Sequence, residues 1–145
     1  MKKRIIAFLC AVMLVFGTLT CFAVETRASH YFDGYTLGIT AKGNMKMHVA
    51  FCVMGTGEMD QIGAYSIRIE EEVGLGTDNW ITSFTAYGDD DTENFYSYDA
   101  YDHLGEFFFY GVPDVRYRAV LVAYAKNESG EEYSREITCT GKVCK

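Results

Sequence analysis

From Tyr35 onward the chain alternates apolar and polar residues with a period of two, the mark of half-buried β-strands. YTLGITAK reads as a first strand, and Gly43-Asn44 marks a turn after it. In KMHVAFCVMG, Met47, Val49, Phe51 and Val53 share one parity; His48, Ala50, Cys52 and Met54 share the other. The first set makes the better core face, so Cys52 points outward. GTGEMDQ reads as a turn-rich connector. IGAYSIRIEEE then places Tyr65, Ile67 and Ile69 on one face of a new strand. GLGTDN is another turn cluster, and NWITSFTAY is a shorter strand carrying the only Trp, Trp80. Residues 88–103 form a long irregular loop, acidic and aromatic together. LGEFFFYG resumes a strand, with Phe107 and Phe109 on one face and Phe108 and Tyr110 on the other.

Pro113, the sole proline, suits a corner because it cannot donate to a ladder. From Tyr117 to Ala125 both parities are largely apolar, which predicts a central strand. NESG signals a hairpin turn, and YSREITC a last strand. No useful segment keeps a 3.6-residue apolar period. About seven short strands separated by turn signals predict an all-β fold, an antiparallel two-sheet sandwich over residues 35–145.

The stretch PDVRYRAVLVA at 113–123 is similar to the P-x-x-x-Y-x-V-x-V-x-A element of fibronectin type III domains, within the immunoglobulin-like group. Ile62, Tyr65, Ile67 and Ile69 resemble that family's third strand, and Val49 and Phe51 its second. The resemblance implies a structural role for Tyr117, whose hydroxyl would return to the backbone just upstream. The signal sequence and GTGEMDQIGA also resemble small exported proteins of Gram-positive bacteria.

Lys2, Lys3 and Arg4 precede an apolar run from Ile5 to Phe16, shorter than the about 20 residues a membrane span needs. This is the pattern of a signal peptide, residues 1–23, with cleavage after Ala23 or, alternatively, after Ala28. Cys21 is a poor lipoprotein cysteine, since Thr20 directly before it is not small enough. Residues 24–34 then form a leader arm. The signal takes three basic residues with it and no acidic ones, so 10 Lys and Arg face 20 Asp and Glu. That surface repels nucleic acid and anionic membrane. With 49% apolar residues the chain can bury enough surface to offset its ordering entropy. The expectation is a secreted or extracellular protein with no stable membrane insertion once the signal is removed.

Catalytic patterns are weak. His30, His48 and His103 are scattered, with no metal-ligand pairing. Cys52 and His48 share a parity but lie ~13 Å apart along a strand. The protein is therefore expected not to be an enzyme and to need no cofactor. Calcium is weighed at Asp89, Asp90, Asp91 and Glu93, whose spacing does not match an EF-hand. Phe95, Tyr96, Tyr98 and Tyr101, beside Asp99 and Asp102, suit either a sugar ring or a protein contact, or fold back onto the sheet edge. Phe108 and Tyr110 on the outer parity, near Cys52 and Met54, form an apolar patch. Either a partner covers it or the arm does, through Tyr31 and Phe32, and the arm is preferred. Cys139 and Cys144 flank TGKV and are expected to form a short-loop disulfide. The leading functional expectation is a binding module for an unknown protein, or a structural role, at or outside the cell surface. The alternative is a carbohydrate-binding module using the loop at 88–103.

Overall fold

The computed structural model describes residues 29–145. The signal peptide, its cleavage site, Cys21 and residues 24–28 of the arm lie outside the described residues. The described residues form eight antiparallel strands in one sheet: β1 (Phe32–Gly43), β2 (Lys46–Glu72), β3 (Trp80–Tyr87), β4 (Tyr96–Tyr110), β5 (Arg116–Asn127), β6 (Gly130–Tyr133), β7 (Ile137–Thr138) and β8 (Lys142–Val143). A 3₁₀ turn (Gly88–Asp90) and a single helical turn, α1 (Thr92–Phe95), join β3 to β4. Among the described residues no helix is long and apolar enough to cross a membrane.

The antiparallel all-β expectation holds. The two-sheet sandwich does not form; the eight strands make one strongly curled sheet, a half-barrel. The cause lies in β2, which spans 27 residues. The stretch GTGEMDQ, expected to connect two strands, is the bent middle of this single one. Between Met54 and Met59 it advances five residues while its partner β4 moves only from Asp102 to Ala100. The extra residues form a wide bulge, which bends the strand and increases its twist. A second register shift falls between Ala64 and Ser66 against β5.

The first half of β2 is flanked by β1 and β4, and the second half by β5 and β3. Curling brings the two ends of β2 together. There the Met45 N–H donates to the Lys145 carbonyl at 2.8 Å, and the Gly111 N–H donates to the Met45 carbonyl at 2.9 Å. The concave side fills with one core that includes Leu37, Val49, Val53, Ile62, Ile67 and Leu121, all fully buried. Each such side chain removed from water stabilises the fold by about 1.5–3 kcal/mol. The alternation around Val49 and Phe51 puts them inside as expected. Tyr65, expected beside Ile67 and Ile69, is exposed instead. The shift after Ala64 reverses parity, so Tyr65 stands on the convex side.

The strand around Tyr117 is central, with β2 on one edge and β6, β7 and β8 along the other. The buried Tyr117 hydroxyl accepts the Val112 N–H at 3.0 Å, the upstream backbone bond expected for that residue. Residues 88–103 are not a long loop: after two short turns, β4 begins at Tyr96. The arm also differs from expectation, since β1 begins at Phe32, which is buried in the core and paired with Gly55. Ser29 anchors the arm's end by donating to the Glu132 carboxylate and accepting the N–H groups of Tyr31 and Phe32, all at 3.0 Å.

Candidate functional site

The core occupies the concave side, so candidate surfaces lie on the convex side and at the strand edges. The convex side divides where β2 bends. Over its second half it is densely furnished. Glu70 accepts from Arg118 Nε at 2.7 Å and from Arg68 Nε at 3.0 Å. Arg68 also forms a two-point pair with Glu136 at 2.8 and 3.1 Å. The guanidinium of Arg118 lies 4.3 Å from the Trp80 ring centre, and that of Arg116 5.2 Å. Glu72, its side chain wholly buried, accepts the N–H groups of Gly76 (3.1 Å) and Asp78 (2.8 Å) and so pins the loop after β2. Those backbone bonds hold its carboxyl below the usual range.

Beside this network stands a tyrosine cluster. Tyr96 and Tyr124 are both paired with Gly63, and their rings meet edge-on at 5.9 Å above it. Glycine is required there, because any Cβ would collide with the Phe95 carbonyl. Tyr133 and Tyr65 continue the chain of rings at 5.0 and 5.1 Å, and Tyr87 closes it at 6.2 Å. A Cβ on Gly88 would stand 2.6 Å from the Tyr96 ring, so that close approach also needs a glycine. The Tyr124 hydroxyl donates to Glu131 at 2.7 Å. Burial, then neighbouring carboxylates, raise the Tyr96 and Tyr124 phenols well above the ordinary range, so both remain neutral donors. The rings serve as a second apolar layer on the convex side, in place of a second sheet.

Over the first half of β2 the same side is sparse. Cross-strand pairs set its relief: Tyr110 beside Lys46, Phe108 beside His48, Glu106 beside Ala50 and Leu104 beside Cys52. Lys46 Nζ sits 4.2 Å over the Phe108 ring, and His48 stacks on it at 4.7 Å while its Nε2 lies 2.8 Å from Glu106. Leu104 and Tyr110 remain 73% and 75% exposed, and Phe108 is exposed too. Tyr31 and Phe32 do not cover them: Phe32 is in the core, and the Tyr31 hydroxyl lies against Gly130 in the β5–β6 hairpin. Leu104 was missed in the sequence, although it shares the parity of Phe108 and Tyr110.

The four rings singled out at 95–101 separate. Phe95, turned inward by α1, packs against Phe51 (5.6 Å) and Phe107 (6.0 Å). Tyr96 belongs to the buried cluster. Tyr98 and Tyr101 are exposed on β4, at 57% and 64%. Between them Asp99 takes the left-handed conformation (φ 50°), which breaks the alternation. The Tyr101 hydroxyl points to Glu58 at 3.5 Å. A cleft of about 370 Å³ opens beside it, lined by Glu58, Asp60, Asp99, Asn127, Glu128 and Ser129.

The calcium candidates do not converge. Asp89, Asp90, Asp91 and Glu93 are exposed and spread over two turns, and Asp91 is engaged by Asn94 at 2.8 Å. Among the described residues no three His, Cys, Asp or Glu side chains are placed to hold a metal ion.

The expected disulfide is absent: Cys52, Cys139 and Cys144 are all free thiols. Cys139 bonds to Ala119 in β5 and Cys144 to Val115 just before that strand, through backbone bonds of 3.1 and 2.9 Å. Those positions are four residues apart along the chain, ~13 Å at the rise of a strand, well beyond disulfide reach. Burial raises the Cys139 and Cys52 thiols, so neither is primed as a nucleophile.

His103 is buried within hydrogen-bonding distance of Asn94 O (2.9 Å at Nε2) and Ser97 Oγ (3.0 Å at Nδ1). A carbonyl only accepts, so Nε2 carries the proton and Nδ1 accepts from the serine. Burial lowers its pKa, and the ring ties α1 to β4 as a neutral group. No family model, curated protein or solved structure matches the chain.

Proposed function

We propose that the chain is a secreted, non-catalytic β-module that binds a protein at or outside the cell surface through the sparse half of its convex side. The observation that supports this reading most is the row Leu104, Phe108 and Tyr110, left exposed beside a half whose polar and aromatic groups are mutually satisfied. Exposed apolar side chains grouped on a regular strand mark interaction surfaces. The signal pattern and the acidic balance agree with a soluble protein outside the cell.

A second reading has its own observation. Tyr101 reaches Glu58 on the wall of an acidic cleft and Tyr98 is exposed on the same strand; a sugar's apolar face would stack on these rings and its hydroxyls would donate to Glu58, Asp60 and Asp99. The two are separated by binding fluorescently labelled purified protein to the surface of the cells that make it, after protease or glycosidase treatment. The protein-binding reading predicts loss of binding after protease, and with Leu104→Asp plus Tyr110→Asp. Loss only after glycosidase, and only with Tyr98→Ala plus Tyr101→Ala, would overturn it in favour of the glycan.

A further inference from the structure

We infer that the partner supplies an extended basic segment, which adds to the sheet as a ninth strand along the free edge of β4 between Asp102 and Tyr110. This rests on the protein-binding reading and names its mode and chemistry. Over these residues β4 pairs with β2 in unbroken register, from Met54↔Asp102 to Lys46↔Tyr110. Among the described residues β2 is its only ladder partner. The opposite edge therefore presents alternate N–H and C=O groups with no ladder, a template for strand addition.

The other edges are less suited. On the same side of β2, β3 is broken by a register shift, Ile69 pairing with Phe84 but Glu70 with Thr82. On the opposite side, β1 lies against β5 and β8 across the curl. Exposed edges are commonly blunted by lysine, proline or a bulge. Between Asp102 and Tyr110 there is none of these, and the irregular Asp99 falls outside the run.

Charge selects the occupant. The carboxylates of this run are Asp102 and Glu106, both exposed, and no Lys or Arg stands on β4. The chain as a whole carries a formal charge of −7. A second copy docking edge to edge in antiparallel fashion would bring Asp102 and Glu106 of each chain together, and like charges facing across strands are destabilising. A segment alternating apolar residues with Lys or Arg satisfies both features. On the convex side its cations would face Asp102 and Glu106 while their methylene stems lie along Leu104, Phe108 and Tyr110, and on the other side its apolar side chains would extend the layer of Phe107 and Phe109, which pack on Phe95 and Phe84.

The test uses three labelled nine-residue peptides on the secreted chain: alternating valine and lysine, the same with glutamate for lysine, and the lysine peptide with alternate backbone nitrogens methylated. Fluorescence anisotropy reads affinity, and deuterium exchange reads protection along β4. The lysine peptide is expected to saturate, to bind at least tenfold more tightly than either control, and to slow exchange at alternate amides of residues 102–110. Asp102→Asn with Glu106→Gln is expected to weaken it at least fivefold. Equal binding of the methylated peptide, protection elsewhere, no saturation, or self-association of the chain through β4 would each overturn strand addition. If the peptides fail while Leu104→Asp plus Tyr110→Asp still abolishes binding to cells, strand addition falls and the protein-binding reading stands. If binding to cells survives that substitution, the surface itself is wrong.

Discussion

The two halves of β2 belong to one strand and one sheet, yet their convex sides differ in kind. Over the second half, Glu70 and Glu72 are held by arginines and backbone N–H groups, and five tyrosines pack ring to ring. Over the first half, Ala50 and the neighbouring Gly38 leave a low surface from which Leu104 and Tyr110 project. The difference teaches where the convex side is covered and where it is left open. A single curled sheet has only one concave core, so its other side needs a covering of its own. The second half has that covering, and the first half leaves Leu104, Phe108 and Tyr110 exposed.

Substitutions can break or sharpen this contrast. The largest effect is expected from Tyr124→Ala, which removes a ring buried between Tyr96 and Tyr133 and should cost about 3–5 kcal/mol in urea unfolding. A cost below about 1 kcal/mol would mean the cluster is only decoration. Next comes Tyr117→Phe. It leaves the Val112 N–H without its acceptor and should cost about 1–3 kcal/mol while leaving binding to cells unchanged.

His103 gives a pH-dependent test. Its folded pKa lies below its ordinary value of 6.5, so the unfolded chain binds the extra proton first. Its contribution is complete above about 6.5 and is lost as the pH falls through and below that value. The carboxylates Glu72 and Glu136, also lowered, act in a separate window below 4.5. The midpoint of thermal unfolding should therefore fall in two stages on acidification. His103→Asn should flatten the upper stage, and an unchanged upper stage would remove the histidine from the account. The smallest effect on stability is expected from Leu104→Asp, within about 0.5 kcal/mol of the parent chain, although it should abolish binding to cells. Thiol titration of the denatured mature chain, before any reductant, should count the three free cysteines of the structure; one free thiol would restore the Cys139–Cys144 bridge.

Much of this was legible in the chain, and the exceptions share a cause. Period-two alternation placed Val49, Phe51, Phe107 and Phe108 on the correct sides, and the element around Pro113 placed Tyr117 correctly. The misreadings occur at irregular positions. Gly55 and Gly57 in GTGEMDQ look like turn residues, and only tertiary packing shows that they bend one long strand. The bulge after Ala64 moved Tyr65 to the convex side, since one inserted residue reverses parity. Asp99 interrupts the alternation of Tyr96, Tyr98 and Tyr101, so a strand looked like a loop. The Cys139–Cys144 spacing suggested a bridge, but β7 and β8 attach to β5 at separate points, which no local pattern records.

The contrast between the halves is tested most directly by scanning photo-crosslinking on the cells that make the chain. A photoreactive residue is placed in turn at 104, 108 and 110 on β4 and at 82, 85 and 87 on β3, whose cross-strand partners Glu70, Arg68 and Ser66 lie on the convex side. One protein adduct is expected from the β4 positions and none from the β3 positions. Adducts from β3 alone, or from all six positions equally, would contradict that contrast.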